Sequence, residues 1–264
     1  MKILLRIRYD GGAYCGFQAQ PNGTSVQSVL TDAFSRLFGF PCNVTGCSRT
    51  DSGVHALGFC AAVEPKDENL RGEHWCSVPV GKIHRAVNVL LPDDIAVSAA
   101  AEVPDDFHPR YNVVRKTYEY HILRSPARDP FLRGRVFHAP RPITEEGIAL
   151  MRRTAEIFVG THDFSGYMAV GSKITDATRT VYAAEVEEKD EMLIYRVSAD
   201  GFLYNMVRIM AGTLLDCAYG KKTPEDAAEA LATGERSLAG FTAPGHGLYL
   251  CRVEYDRAID WRCD

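Results

Sequence analysis

The order of apolar patterns along the chain repeats once, and this repeat limits the possible folds more than any other feature. Residues 2–10, KILLRIRYD, alternate apolar and charged side chains as a half-buried strand does, and a helical spacing follows over 26–39. Residues 116–123, KTYEYHIL, alternate in the same way, and a helical pattern follows over 145–159. The repeat predicts two ferredoxin-like halves, each an antiparallel sheet backed by helices.

The remaining patterns complete these two halves. Further strands are predicted at 54–64, 95–103, 178–188, 192–200 and 246–255, and further helices at 82–91, 202–219 and 223–234. Thr24 or Ser25 is expected to cap the first helix, and Gln27 stands at the capping-box position relative to Thr24. We therefore predict an α+β protein with subdomains at 1–105 and 106–264 and an active-site cleft between them, since clefts between domains are common binding sites.

Composition excludes several classes of protein. The 264 residues are 46% hydrophobic and 24% charged, which is typical of a soluble protein with a substantial core. No apolar run of about 18 residues occurs, and the first apolar stretch is interrupted by Arg6 and Arg8, so neither a membrane span nor a signal peptide is expected. The eight cysteines form no C-x-x-C pair, which favours free thiols in a cytoplasmic protein and predicts no metal site.

The charge of the chain is unevenly distributed. The formal net charge is −4, yet residues 107–153 contain ten Lys or Arg against four Asp or Glu. A basic stripe on an acidic protein suits an anionic partner that binds one face, although a chance fluctuation on a solvated surface gives the same count.

The segment GCSRTDSGVHALG, at 46–58, places Arg49 and Asp51 two residues apart in a glycine-flanked turn. Gly46 and Gly53 permit turns that a side chain would forbid, and a carboxylate on such a turn can act as a nucleophile at a sugar centre. A surface ion pair is the alternative. His55 follows the turn, and the sequence leaves its role open, with packing as one possibility.

Two further residues are candidates for the same site. Tyr118 lies in a predicted strand beside Arg115 and Lys116, where it either packs in the core or stacks on an unpaired base. Arg208 lies in a helix that is apolar on most sides, so burial would require an anionic partner. The sequence leaves three candidates for that partner: a structural acid, Asp51 and a phosphate.

Together these segments closely resemble the TruA family of tRNA pseudouridine synthases. The resemblance runs through YDGGAYCGFQAQ, GCSRTDSGVHALG, FHPRYNVVRKTYEYHI, GFLYNMVRIMAG and APGHGLYL, in the family's order and over nearly the whole chain. It implies that Asp51 is the catalytic aspartate and that Tyr118 contacts the ring of the target uridine. It further implies that Arg49 helps to extrude that nucleotide and that Arg208 pairs with the catalytic carboxylate.

The resemblance also implies the reaction and its partners. The expected protein is a homodimer that isomerises uridine to pseudouridine at tRNA positions 38 to 40, without a cofactor. The chain departs from the family at Ser48, where glycine is common, and its 65–80 connection is longer than usual. An inactive RNA-binding module, a glycosidic-bond hydrolase and a structural dimer are the alternative classes; no second carboxylate partner for Asp51 is evident to support the hydrolase.

Overall fold

The computed structural model describes residues 1–21, 23–72, 75–139, 141–171 and 174–263. The chain forms two compact units: Met1–Val114 together with Leu250–Asp264 is unit 1, and Arg115–Tyr249 is unit 2. The sequence-based division at residue 105 assigned the last strand to the second half. In the structure this strand, from Leu250 onwards, belongs to unit 1, because it lies beside a strand of that unit's sheet.

Ten strands and five helices are found in the described part of the chain. In chain order they are β1 (Lys2–Tyr9), α1 (Val26–Phe38), β2 (Cys42–Gly46), β3 (His55–Pro65), α2 (Ile83–Asn88), β4 (Ile95–Val103), β5 (Val113–Leu123), β6 (Phe137–His138), α3 (Glu145–Ile157), β7 (Gly160–Asp163), β8 (Thr178–Lys189), β9 (Met192–Ala199), α4 (Met206–Ala218), α5 (Pro224–Thr233) and β10 (Leu248–Tyr255).

Unit 1 is built on the antiparallel sheet β4-β1-β3, with β2 and β10 also beside β3. The strand β2 pairs with the C-terminal part of β3, from Ala61 to Pro65. The strand β10 passes so close to Gly58 that a Cβ there would lie 2.3 Å from the carbonyl oxygen of Cys251. Alternate residues of β1, including Leu5 and Ile7, are fully buried, which is the periodicity that predicted this strand.

Unit 2 contains the antiparallel sheet β5-β9-β8-β7, with β6 parallel to β5. Helix α3 packs against β8, α4 and α5. Helix α4 is buried along almost its whole length, and Gly212 permits this, because a Cβ there would lie 1.8 Å from the Phe241 carbonyl oxygen. These sheets confirm the predicted α+β class. Among the described residues, no helix combines the length and apolar character that a bilayer crossing requires.

Several element boundaries differ from the sequence-based prediction for identifiable reasons. Helix α1 is capped by Ser25, which accepts a hydrogen bond from Ser28 N, and Ser28 completes the capping box. Gln27 instead bridges two segments, accepting from Ala19 N at 2.8 Å and donating to Val44 O at 2.7 Å. The strands β2, β6 and β7 were not predicted, because runs of five, two and four residues are too short to establish a period.

Candidate functional site

The glycine-flanked turn that carries Arg49 and Asp51 is the loop between β2 and β3 in unit 1. At its start Cys47 N donates to the carbonyl oxygen of Cys60 at 2.9 Å. At its end Val54 N donates to the carbonyl oxygen of Asp51 at 3.2 Å, which closes a tight turn around Gly53. The loop, defined here as the RTD loop (residues 47–54), is therefore tied to β3 at its start and closed by a tight turn at its end.

Thr50 is the central anchor of the RTD loop. Its carbonyl oxygen accepts from Phe17 N at 3.1 Å, and its hydroxyl lies 2.8 Å from that of Tyr9 in a buried hydrogen bond. Thr50 is buried, whereas Asp51 is half-buried and Arg49 is exposed. Because Thr50 is fixed through both its backbone and its side chain, its two charged neighbours are held at the surface on a rigid support.

Glycines of the 11–16 segment allow that segment to pack against the RTD loop. Gly16 has φ +108°, and a Cβ there would lie 2.5 Å from Thr50 O. A Cβ on Gly11 would lie 2.0 Å from Val54 O. Gly53 has φ +76°, as the turn requires, whereas Gly46 is needed for space, since a Cβ there would lie 2.3 Å from the Phe17 ring. The glycine-rich segment is therefore a support for the loop.

His55, whose role the sequence left open, begins β3 and is 2% exposed. Its Nδ1 accepts from Gly11 N at 3.0 Å, which links the end of the RTD loop to the glycine segment. Ser52 makes a second link, because its hydroxyl donates to Tyr14 O at 3.2 Å. His55 thus packs within unit 1 and helps to position the loop.

Tyr118 lies on β5 in unit 2, opposite Val197 of β9, and is 6% exposed. Its ring meets Phe202 edge-on, with centroids 5.1 Å apart and an interplanar angle of 83°. Tyr120, on the same face of the strand, donates its hydroxyl to Pro244 O at 2.9 Å. Both rings are therefore held in defined orientations by residues of unit 2.

Arg208 lies in the first turn of α4 and is half-buried. Its Nε donates to Ala243 O at 2.7 Å, and its Nη1 donates to Asn205 Oδ1 at 2.7 Å. Asn205 adopts a left-handed conformation, with φ +60°, immediately before the helix. Two neutral oxygens thus orient the guanidinium, which is a contribution that the sequence did not indicate.

The four candidate residues therefore fall into two pairs. Arg49 and Asp51 lie on one loop of unit 1, and Tyr118 and Arg208 lie on β5 and α4 of unit 2. The supporting residue Thr50 was missed in the sequence analysis, because its partners are distant in the chain. The glycines of 11–16 were the available signal, since they permit the close approach of another backbone segment.

The basic stretch 107–153 is used partly for internal contacts. Arg124 and Arg152 contact Glu188, Arg153 contacts Glu225, and Lys116 is buried. The exposed side chains that make no ion pair with any other described residue include Arg110 in unit 1 and Arg128 and Arg133 in unit 2. The basic surface available to an anionic partner is therefore smaller than the sequence count.

Comparison with known proteins identifies the family to which this chain is similar. A family model described as tRNA pseudouridine synthase matches residues 6–112 and 154–256. The matched residues include Arg49, Asp51 and Arg208, whereas Tyr118 lies in the segment between the two matches.

Curated relatives match over nearly the whole length of both chains. A "tRNA pseudouridine synthase A" of Ruminiclostridium cellulolyticum is 42% identical over 255 residues, or 96% of this chain and 99% of the relative. A protein of the same name from an Exiguobacterium species is 38% identical over 257 residues, or 97% and 98% of the two chains. A "tRNA pseudouridine synthase A 1" of Bacillus cereus is 40% identical over 256 residues, or 97% and 99%.

Proposed function

Because this chain belongs to the tRNA pseudouridine synthase family, we propose that it isomerises uridine at positions 38 to 40 of the tRNA anticodon arm, with Asp51 as the nucleophile. The observation that carries the role of Asp51 is the double anchoring of Thr50 next to it. A nucleophile must be held in a defined position to react at a sugar carbon, and a loop fixed at Thr50 supplies that support.

The proposed reaction begins with a nucleotide that has been flipped out of the RNA stack. Unstacking a base costs a few kcal/mol, which the contacts to the RNA must supply. The exposed side chain of Arg49, two residues from Asp51, is suited to occupy the vacated position. Tyr118 would contact the ring of the extruded uridine. The orientation of its side chain by Phe202 supports this role.

The chemistry requires no atom from outside the substrate. An Asp51 oxygen attacks C1′ of the uridine, and the electron pair of the C1′–N1 bond leaves with the base. The base turns, its C5 bonds to C1′ as Asp51 leaves, and the proton lost from C5 is replaced by one gained at N1. Arg208 would pair with the carboxylate of Asp51, as the family resemblance implies, and its hydrogen bonds to Ala243 O and Asn205 Oδ1 support this role by orienting it.

The Asp51→Asn variant tests this assignment. The side chain keeps its size but loses the negative charge that makes a carboxylate oxygen nucleophilic, so turnover should be abolished while tRNA binding is largely retained. Asp67→Asn is a matched control, because Asp67 is an exposed acid on a different loop of unit 1. Pseudouridine is mapped in an unmodified transcript by chemical adduct formation and primer extension. Wild-type turnover by Asp51→Asn would refute the assignment.

Measurements of RNA binding, RNA mass and isotope effects separate the alternatives. An inactive RNA-binding module would bind tRNA without forming pseudouridine, and a glycosidic hydrolase would release uracil and lower the RNA mass. An alternative isomerisation, through loss of a ribose proton to give a glycal, would slow when the substrate carries deuterium at C2′. Direct attack by Asp51 leaves that bond intact and predicts no primary isotope effect.

The proposal also includes the binding partners of the protein and its location in the cell. Arg110, Arg128 and Arg133 support a tRNA path by phosphate contacts, which position the RNA without reading its sequence. Affinity should therefore fall as salt rises, and a flat response would refute this path. The proposed homodimer rests on the family resemblance, and light scattering of the purified protein tests it. The eight cysteines, which form no C-x-x-C pair, support a cytoplasmic location.

A further inference from the structure

An exposed tyrosine lies beside the RTD loop on a rigid support. Tyr111 is 77% exposed, yet it belongs to the segment 107–112, whose neighbouring residues are tightly held. Phe107 is fully buried, and its ring packs against Tyr255 with centroids 5.0 Å apart. The Tyr255 hydroxyl donates to Pro109 O at 3.1 Å. The end of β10 thus anchors the first half of this segment.

The second half of the segment is anchored in the same way. Asn112 Nδ2 donates to Asp256 Oδ2 at 2.8 Å, and Asp256 N donates back to Asn112 O at 3.0 Å. Within the segment, His108 N donates to Asn112 Oδ1 at 2.8 Å, and Asn112 N donates to His108 O at 3.1 Å. A segment with this many bonds presents Tyr111 at a fixed position.

His108 supports one face of the Tyr111 ring. The two ring centroids are 4.2 Å apart, with an interplanar angle of 31°. The Nδ1 of His108 accepts from the backbone N of Arg110 at 3.1 Å and of Tyr111 at 3.3 Å. Burial lowers the pKa of His108, and the charges of Lys2 and Arg110 lower it further, which favours the neutral ring that can accept these bonds. The other face of Tyr111 remains accessible.

A pocket of about 250 Å³ joins this aromatic pair to the RTD loop. Tyr111 and His108 line it together with Ser48, Arg49 and Arg110. The charged side chains among its described lining residues are both arginines, and both are exposed. An aromatic face next to guanidinium groups is the combination that binds single-stranded nucleic acid, by stacking on a base and pairing with its phosphates.

The position of the pocket indicates which nucleotide it would take. Arg49 and Asp51 lie two positions apart in the chain, so their Cα atoms are at most about 7 Å apart. This distance is comparable to the step between neighbouring nucleotides in an extended strand. A pocket lined by Arg49 is therefore close enough to Asp51 to take a nucleotide next to the target uridine in the strand.

We propose that this pocket, the Tyr111 pocket, binds an unpaired nucleotide adjacent to the target uridine, with its base stacked on Tyr111 and a phosphate at Arg110. The inference rests on the proposed function, since it presumes that Asp51 receives the target nucleotide. Stacking is tolerant of base identity because every base has an aromatic face, so the pocket positions the strand and leaves the choice of sequence to other contacts.

Stacking in the Tyr111 pocket is measured with a fluorescent base. Two anticodon stem–loop RNAs carry 2-aminopurine, one on the 5′ side and one on the 3′ side of the target uridine. Each is bound to the Asp51→Asn protein, so that the RNA is not altered. We expect one RNA to lose fluorescence on binding, because stacking quenches 2-aminopurine. Tyr111→Phe, added to Asp51→Asn, should retain the quenching, and Tyr111→Ala should abolish it.

Kinetics of the protein with Asp51 intact give a second readout. A base stacked on an aromatic side chain contributes about 1–3 kcal/mol, so Tyr111→Ala should raise KM by about 5- to 150-fold and change kcat much less. Tyr111→Phe should restore the wild-type KM. Val89→Ala is the matched control, because Val89 is another exposed apolar residue of unit 1 and lies outside the pocket.

Arg110→Gln tests the pocket independently of Tyr111. It should weaken RNA binding and reduce the salt dependence of the affinity by about one unit of slope. This variant keeps the proposal testable if Tyr111→Ala is unstable. An unchanged salt slope would count against the phosphate contact at Arg110 and overturn that part of the proposal.

The outcomes separate the pocket from the proposed function. The Tyr111 pocket would be overturned, and the function left in place, by either of two results. One is pseudouridine formation by the protein with Asp51 intact while neither 2-aminopurine RNA is quenched. The other is a Tyr111→Ala variant with wild-type KM. Quenching by the Asp51→Asn protein, together with no pseudouridine formed by the protein with Asp51 intact, would overturn the function and leave the pocket. A Tyr111→Ala protein that changes from dimer to monomer would show that a second copy of the chain covers Tyr111, which also overturns the proposal.

Discussion

Gly16→Ala should impair catalysis through the support of the RTD loop, without altering any residue proposed to touch the substrate. The backbone at Gly16 has φ +108°, which L-residues rarely adopt, and a Cβ there would lie 2.5 Å from Thr50 O. Strain of about 1–3 kcal/mol and a further 1–3 kcal/mol from the overlap predict a stability loss of about 2–6 kcal/mol. Relieving the overlap requires the loop to move by about 1 Å, and a shift of this size can cost about 100-fold in rate.

Gly39→Ala is the matched control for this substitution. Gly39 also has positive φ, at +79°, but nothing lies within 4 Å of a Cβ placed there. Gly39→Ala should therefore lower the stability only by the backbone strain, about 1–2 kcal/mol, and leave activity unchanged. Denaturant unfolding followed by circular dichroism gives the stabilities, and pseudouridine formation gives kcat. If Gly16→Ala keeps wild-type kcat and is no less stable than Gly39→Ala, the supporting role of the glycine segment is wrong.

Two further predictions concern contacts inside the two units. Tyr9→Phe and Thr50→Val each remove the same buried hydrogen bond, so each should destabilise the protein by about 1–2 kcal/mol. In a double-mutant cycle, the stability loss of the double variant should be clearly smaller than the sum of the two single losses. Additive losses would show that the bond contributes nothing. In unit 2, hydrogen bonds from His121 and Arg196 lower the pKa of Glu119 from 4.5 to about 2. The ionised form of Glu119 therefore stabilises the fold above about pH 4.5. This contribution to stability is lost as the pH falls through about 2. Glu119→Gln should be less stable than wild type by at most about 3 kcal/mol at neutral pH. Chemical unfolding at a series of pH values should show this difference in stability shrinking in acid. A difference that does not depend on pH would contradict the stabilising role of ionised Glu119.

Local patterns in the sequence were sufficient to predict most of the elements and to single out the turn that carries Asp51, whereas the role of Asp51 as nucleophile came from the family resemblance. Strands β1, β4 and β9 and helices α3 and α5 were predicted to within about two residues, because alternation, helical spacing and capping residues are all properties of neighbouring positions. The turn that carries Asp51 was identified because a charged pair between glycines is visible within a few residues. Short strands such as β6 contain too few residues for any period to be detected.

The support of the candidate site was decided by tertiary structure alone. Thr50 depends on Tyr9, 41 residues away, and Pro109, next to the Tyr111 pocket, accepts a hydrogen bond from Tyr255, 146 residues away. Such contacts leave no local period, since hydrogen bonding and close packing depend on distance in space and not on separation along the chain. The sequence by itself thus determined which groups are available for chemistry, whereas folding decided which backbone segments hold them in place.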